Sequence, residues 1–270
     1  MDIRATVLID NTAPDTLLSE WGLSVYIEYR GHTVLLDTGK SGGFAENAQS
    51  LGIDLAAAEY GVLSHAHYDH ADGMEEFFSR NASAKFCLRE GTEENCYSGE
   101  GDERHYIGIK RGILESYRSR LLFCGKEHKL FEGAWLLSHR RDMTAAGRLA
   151  HMYLLNGSEW SIDNFAHEQS LVFDTEKGLV VFNSCCHGGA DIVIEEACEA
   201  LGKEVYALVG GLHLFRSDDD YVMEMAERLR RTGVKRIITG HCTGERGLEL
   251  LKNELSGIVE EMSSGYVFEI

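Results

Sequence analysis

Apolar and polar positions change their spacing along this chain in a regular order. TVLID (6–10), LSVYIEY (23–29) and HTVLLDTG (32–39) are short, β-branched and partly alternating, which predicts three strands. The pair Arg30–Gly31 between the last two predicts a hairpin turn. SGGFAENAQSL (41–51) predicts a helix with a serine near its start. YGVLS (60–64) reads as a buried strand, ADGMEEFF (71–78) as a helix and AKFCLRE (84–90) as another strand. From residue 167 the pattern sharpens: HEQSLVFDTEKGLVVFN predicts two strands joined by a polar turn at TEKG. A helix follows at about 191–201, then a buried strand at EVYALVGG (204–211). DDDYVMEMAERLRRTG (218–233) opens on acids and closes on glycine, as the helix dipole and left-handed cap favour. KRIITG (235–240) reads as a strand, ERGLELLKNEL (245–255) as a helix and YVFEI (266–270) as a closing strand. Both halves open on strands and then alternate strands with helices. That order predicts an α/β chain with two β-rich halves and helices outside them.

The stretch 91–165 is weaker in pattern and rich in glycine and charge. WLLS (135–138) and HMYLL (151–155) read as strands. The rest is either an insertion covering a site or ordinary peripheral loops and edge strands. The expectation is a single domain over 1–270 with a site-covering insertion at about 91–165.

Composition narrows the partners. The 270 residues are 44% hydrophobic, enough for a substantial core. The formal net charge of −18 argues against nucleic acid and against an anionic membrane surface, both of which need a basic face. A small-molecule substrate is the expectation; bound divalent ions would offset the charge locally, so it can be phosphorylated. The start, MDIRATVLID, lacks a basic segment followed by a long apolar run, and no stretch approaches the length of a membrane span. Seven cysteines without a C-x-x-C pair argue against a disulfide scaffold and a zinc ribbon, and lead to the expectation of a cytoplasmic protein.

The chemistry concentrates in HAHYDH (65–70). On an extended segment alternate side chains share a face, so His65 and His67 can share one metal ion. The chain then turns into a helix, and Asp69 and His70 can reach a second position. Zinc takes nitrogen and carboxylate ligands, and a catalytic site keeps one position open. Two ions need more ligands than this window holds. His167, His187, His213 and His241 each stand at the edge of a predicted strand and are the candidates for the remainder. His32, His105, His128, His139 and His151 have no such context and read as surface or insertion residues. Cys185 is a possible thiolate ligand, against the commoner reading of a small buried hydrophobe. Arg140, Arg141 and Arg148 could meet a substrate anion, or lie on a solvated loop.

HAHYDH after an apolar strand resembles the signature of the metallo-β-lactamase superfamily. LLDTG (35–39) is similar to that superfamily's first motif, whose aspartate supports the metal loop; here that is Asp37. HEQSLVF and GLVVFNSCCHGG resemble its third and fourth motifs, and TGHCTG (239–244) its last histidine. The set GLS, HEQSL, SCCHGG, GGLHL and GHCTG resembles one branch, that of the 7,8-dihydropterin-6-yl-methyl-4-(β-D-ribofuranosyl)aminobenzene 5′-phosphate synthase. The resemblance implies a four-layer αββα sandwich and two divalent metal ions, zinc first, with iron or manganese as alternatives. It implies metal ligation by His65, His67, Asp69, His70, His187 and His241. Asp69 is also expected to orient or deprotonate water, and His213 to act near the substrate. The fourth motif usually ends in an aspartate bridging the metals, and Cys185 stands there instead. His167 and His187 then compete for one ligand position, or both bind; the branch's C-x-H-x-G pattern favours His187.

Two functions follow as expectations. One is a metal-dependent hydrolase or transferase that activates water, or a phosphate or ester group, on a small molecule that can be pterin-related. The other is a binding or sensing module that retains metal with little catalysis. Nothing in the chain resembles an attached flavin domain, so electron transfer is not expected.

Overall fold

The computed structural model describes residues 2–100, 103–139, 149 and 151–270. The three arginines of 140–148 therefore lie outside the described residues. Among those described, two seven-stranded sheets form the body. The first contains β1 (Ile3–Ile9), β2 (Ser24–Tyr29), β3 (His32–Leu36), β4 (Tyr60–Val62), β5 (Lys85–Arg89), β8 (Leu121–Cys124) and β18 (Val267–Glu269), in the order β18-β1-β2-β3-β4-β5-β8. The second contains β9 (Glu127–Phe131), β10 (Ala134–Ser138), β13 (Gln169–Thr175), β14 (Gly178–Phe182), β15 (Val205–Val209), β16 (Arg236–Thr239) and β17 (Val259–Glu261), in the order β17-β16-β15-β14-β13-β10-β9.

Strand periodicity sorts the side chains into layers. On β3, Val34 and Leu36 join the core between the two sheets, while Leu35 faces outward. On β14, Val180 and Phe182 enter the same central core, while Leu179 and Val181 face outward. The outward face of the first sheet is covered by α1 (Gly43–Ser50) and α3 (Met74–Arg80), through Phe44, Met74 and Phe77. The outward face of the second is covered by α5 (Ala190–Leu201), α6 (Asp219–Thr232) and α7 (Glu245–Glu254). The result is the expected four-layer αββα sandwich. On α6 the buried positions Val222, Met225, Ala226 and Leu229 make one stripe, and burying each large side chain contributes roughly 1.5–3 kcal/mol. Asp218 caps that helix by accepting from the Tyr221 amide at 2.8 Å, and Gly233 ends it at φ 78°.

The stretch 91–165 divides. Its middle supplies β8, β9 and β10, which complete the two main sheets. Its flanks supply a separate four-stranded sheet from β6 (Cys96–Glu100), β7 (Glu103–Tyr106), β11 (Met152–Asn156) and β12 (Glu159–Ile162), in the order β12-β11-β6-β7. Periodicity is weak there because these strands are short and half exposed.

The expected strand at 32–39 stops at Leu36, and the expected helix at 71–78 is broken into α2 (Tyr68–Ala71) and α3. Both departures have one cause, the loops around residues 37 and 65–73. β3, β4, β5 and β8 run parallel, as do β14, β15, β16 and β17. Asp37, the 65–70 window, Cys185, His187, His213 and His241 all follow the carboxyl ends of such strands, the usual location of ligand sites in parallel sheets.

Candidate metal centre

Backbone strain marks the site before any side chain is considered. Among the described residues, six non-glycine residues have positive φ. One, Arg30, is in the predicted hairpin turn; the others are Asp37, Phe165, Cys186, His213 and His241, at 45–56°. Such conformations persist where surrounding structure enforces them, and they gather at functional sites. Gly210 serves the same loops: at φ 136°, a Cβ there would stand 1.9 Å from the Asn183 carbonyl oxygen.

Asp37 organises the histidine window from behind. Its carboxylate accepts from the Ser64 amide at 2.7 Å, the Ser64 hydroxyl at 2.7 Å and His70 Nδ1 at 2.8 Å. Because the Ser64 hydroxyl donates to Asp37, its oxygen accepts from His65 Nδ1 at 2.9 Å. Both rings therefore carry a proton on Nδ1, and in the neutral form each turns an Nε2 lone pair inward. His241 is set the same way by a residue that sequence reading missed: its Nδ1 donates to Asn11 Oδ1 at 3.0 Å. Asn11 lies in the loop just after β1 with no spacing signal to mark it, and only the fold brings it to His241.

Two donor groups result. In the first, His65 Nε2 lies 3.1 Å from His67 Nδ1 and 3.2 Å from His187 Nε2. In the second, Asp69 Oδ2 lies 3.7 Å from His70 Nε2 and 3.6 Å from His241 Nε2, and Cys185 Sγ lies 3.3 Å from His70 Nε2. Cys185 belongs to both neighbourhoods: it is within 4.8 Å of the donor atoms of His65 and His187, and of those of His70 and His241. All these side chains are buried. Burial, reinforced by neighbouring imidazoles, holds His65 and His241 well below the ordinary histidine value. Burial and the nearby His167 ring do the same for His67. Burial also raises Asp69 and the Cys185 thiol. His70 goes upward instead: burial opposes its charge, but the Asp69 and Asp37 carboxylates outweigh that.

His167 is placed differently from His187. Its Nδ1 accepts from the Ala66 amide at 3.1 Å, and its Nε2 lies 3.1 Å from Asp163 Oδ2. A nitrogen that accepts a backbone N–H carries no proton, so the proton sits on Nε2 and is donated to Asp163. Both ring nitrogens are thus committed, and His167 braces the backbone between His65 and His67. His213 lies beside the donor groups, with its ring 4.3 Å from that of His187.

His67, Asp69, Cys185, His187 and His241 of these groups line the floor of a cavity of about 340 Å³, with His65 and His70 behind them. Trp21 and Phe215 stand in its wall, edge to face at 5.1 Å, and Arg216 stands beside Phe215 at 5.3 Å. The lining also includes Ser98, His105 and Met152 from β6, β7 and β11. His105, read from sequence as a surface or insertion residue, thus reaches the cavity.

His139 corrects the sequence reading more sharply. It is buried, with Nδ1 2.8 Å from Glu196 Oε2 and Nε2 3.1 Å from Glu168 Oε2. Glu168 in turn accepts from the His187 amide at 3.1 Å. Burial alone would lower the His139 pKa; Glu168 and Glu196 instead push it up to about 9. A raised folded-state value means that this stabilisation is complete below the unfolded value, about 6.5, and fades as pH rises through about 9. Thermal unfolding of the wild type is expected to lose stability between pH 7 and pH 10. His139→Gln is expected to be less stable at pH 7 by ~3 kcal/mol and to show a flatter profile. Parallel profiles for the two proteins would overturn this account.

Comparison with known proteins follows the same line. A family model described as the metallo-beta-lactamase superfamily matches residues 22–201. The chain is 25% identical over 268 residues to a Methanocaldococcus jannaschii protein named 7,8-dihydropterin-6-methyl-4-(beta-D-ribofuranosyl)-aminobenzene-5′-phosphate synthase, covering 93% of this chain and 90% of that one. Among solved structures it is similar to Tm1679, described as a metal-dependent hydrolase of the beta-lactamase superfamily, with TM-score 0.86, 29% identity and 99% of each chain covered. The metallo-beta-lactamase fold protein YhfI from Bacillus subtilis matches with TM-score 0.61 and 11% identity, covering 100% of each chain, a likeness of fold.

Proposed function

The chain belongs to the metallo-beta-lactamase superfamily, and on that premise we propose that it is a metal-dependent hydrolase or transferase acting on a small molecule at a two-ion centre. One observation carries the reading: inward-facing lone pairs converge on the cavity floor in two adjoining groups. The donor chemistry fits divalent cations. His65 Nε2, with its Nδ1 proton committed to Ser64, faces two further ring nitrogens at 3.1 and 3.2 Å. Tetrahedral zinc–nitrogen bonds would set such neighbours about 3.3 Å apart. His241 Nε2 is buried and has no hydrogen-bond partner among the described residues. Neutral imidazoles, which metal binding requires, are what burial favours here.

His65, His67 and His187 would hold one ion; Asp69, His70 and His241 would hold the other, with Cys185 beside both. His167 then serves by holding the Ala66 amide. Zinc suits this nitrogen-rich set best, with iron or manganese as alternatives. Ions held there would polarise an ester or phosphate oxygen and make water a nucleophile at neutral pH. The chain's own residues supply the rest. Asp69 sits between His70 and His241, where its second oxygen can orient a water and take its proton. His213, set at φ 52° by its loop, faces the cavity beside His187 and would contact the bound substrate. The sheet of β6, β7, β11 and β12 covers the cavity and limits the entry of bulk water.

The aromatic wall and Arg216 suit a substrate with a flat ring and an anionic group, which a pterin-related phosphate has. The narrower reading, a reaction like that of the synthase relative, rests on that fit and on 25% identity. The test is turnover of generic phosphodiester, thioester and lactone substrates with and without chelator. Chelator-sensitive turnover, restored by added zinc or manganese, is the expected result. Turnover indifferent to chelator would sink the proposal; metal binding without turnover of these or pterin phosphates would favour a sensing module.

A further inference from the structure

Cys185 and Cys242 come from different loops, after β14 and β16, yet their sulfurs lie 3.3 Å apart on the cavity floor. Both are buried in the protein. The backbone is fitted around the pair. The His213 amide donates to Cys242 Sγ at 3.3 Å, and a Cβ on Gly211 would stand 2.4 Å from that sulfur. A disulfide needs the sulfurs about 2.05 Å apart, so roughly 1.2 Å of approach separates the thiols from a bond. Cys185 Sγ is also the atom that both donor groups share.

We propose that Cys185 and Cys242 form an oxidation site, at which peroxide closes a disulfide that removes the Cys185 sulfur from the metal centre. The step balances with peroxide as oxidant. One thiol gives up its proton and attacks a peroxide oxygen as thiolate, the O–O bond breaks, a sulfenic acid forms, and the departing hydroxide takes up that proton to leave as water. The other thiol attacks that sulfur, the S–O bond breaks and a second water leaves. Two thiols and one hydrogen peroxide thus give one disulfide and two waters. The cavity that admits a substrate also admits peroxide. Bound metal and disulfide compete for one sulfur, so metal protects the pair and oxidation weakens metal binding; this second half rests on the proposed two-ion centre.

The protein also holds an internal control. Cys87 and Cys124 both lie in the central core, away from the cavity. Of these two pairs, only the one at the cavity is expected to form a disulfide while the fold is intact.

The experiment treats the full chain with hydrogen peroxide, metal-free and zinc-loaded, and maps peptides by mass spectrometry beside elemental analysis. In the metal-free protein the expected product is a peptide pair joined through Cys185 and Cys242, two hydrogens lighter and reversed by a dithiol. Zinc loading is expected to slow its formation at least tenfold, and the oxidised protein to take up less zinc until reduced. Cys242→Ser should keep its zinc uptake through mild peroxide treatment. Absence of the joined peptides, or equal loss of zinc uptake in Cys242→Ser, would overturn the proposal. If untreated protein takes up no zinc, the two-ion centre fails, and the joined peptides alone then decide whether the oxidation site stands.

Discussion

Asp69→Asn is expected to lower turnover by about 10²–10⁴-fold while the protein stays folded. The substitution keeps the shape of a side chain whose Oδ2 lies 3.6–3.7 Å from His241 and His70. It removes the negative charge that would balance an ion there and the basic oxygen that would take a proton from water. The Asp69 carbonyl, which accepts from the Leu23 amide at 3.3 Å, is untouched, so the melting temperature should move little. The decisive comparison is kcat of the variant saturated with metal. If kcat is unchanged at full metal occupancy, Asp69 has no part in the chemistry. If metal content falls and kcat per bound ion does not, Asp69 is a ligand only.

The second large effect concerns which histidine completes the first donor group. Elemental analysis of protein purified without chelator is expected to give about two equivalents of metal for the wild type. His187→Ala should lose about one of them, because it deletes the nitrogen 3.2 Å from His65 Nε2. His167→Ala should keep both ions at saturating metal and bind them about 10–100-fold more weakly, as expected when a residue that orients a ligand is removed. The reason is geometric: His167 holds the Ala66 amide and Asp163, and neither of its nitrogens faces the cavity floor. The reverse outcome, one ion lost only from His167→Ala, would make His167 the ligand and His187 a substrate-facing residue.

Much of this architecture is legible in the order of residues. Most strands of both main sheets and the helices outside them announce themselves through periods of two and of about 3.6, because each buries one face against a neighbour; β8 and β9, short and in the weakly patterned stretch, do not. Of the four-stranded sheet only β11 shows in the sequence, as HMYLL, because the sheet buries little: β12 is exposed along its whole length. β17 escapes because three residues are too few to show a period. The histidine window stands out through crowding, and Asp37 through its likeness to a known motif. Asn11 and His139 carry no such signal. One is an asparagine in the loop after a strand, the other a histidine in a charged, glycine-containing stretch, and each has a partner more than 50 residues away.

Local sequence settled most of the elements and pointed to the histidines of the candidate site, since periodicity and residue type act over a few neighbours. The pairing of His187 with His65, the commitment of His167 to a backbone amide, the meeting of Cys185 with Cys242 and the burial of His139 between two glutamates were settled only in three dimensions. Each depends on where loops from distant parts of the chain end, to within about an ångström. That distance is set by how the sheets twist and pack against each other, and no short stretch of chain encodes it.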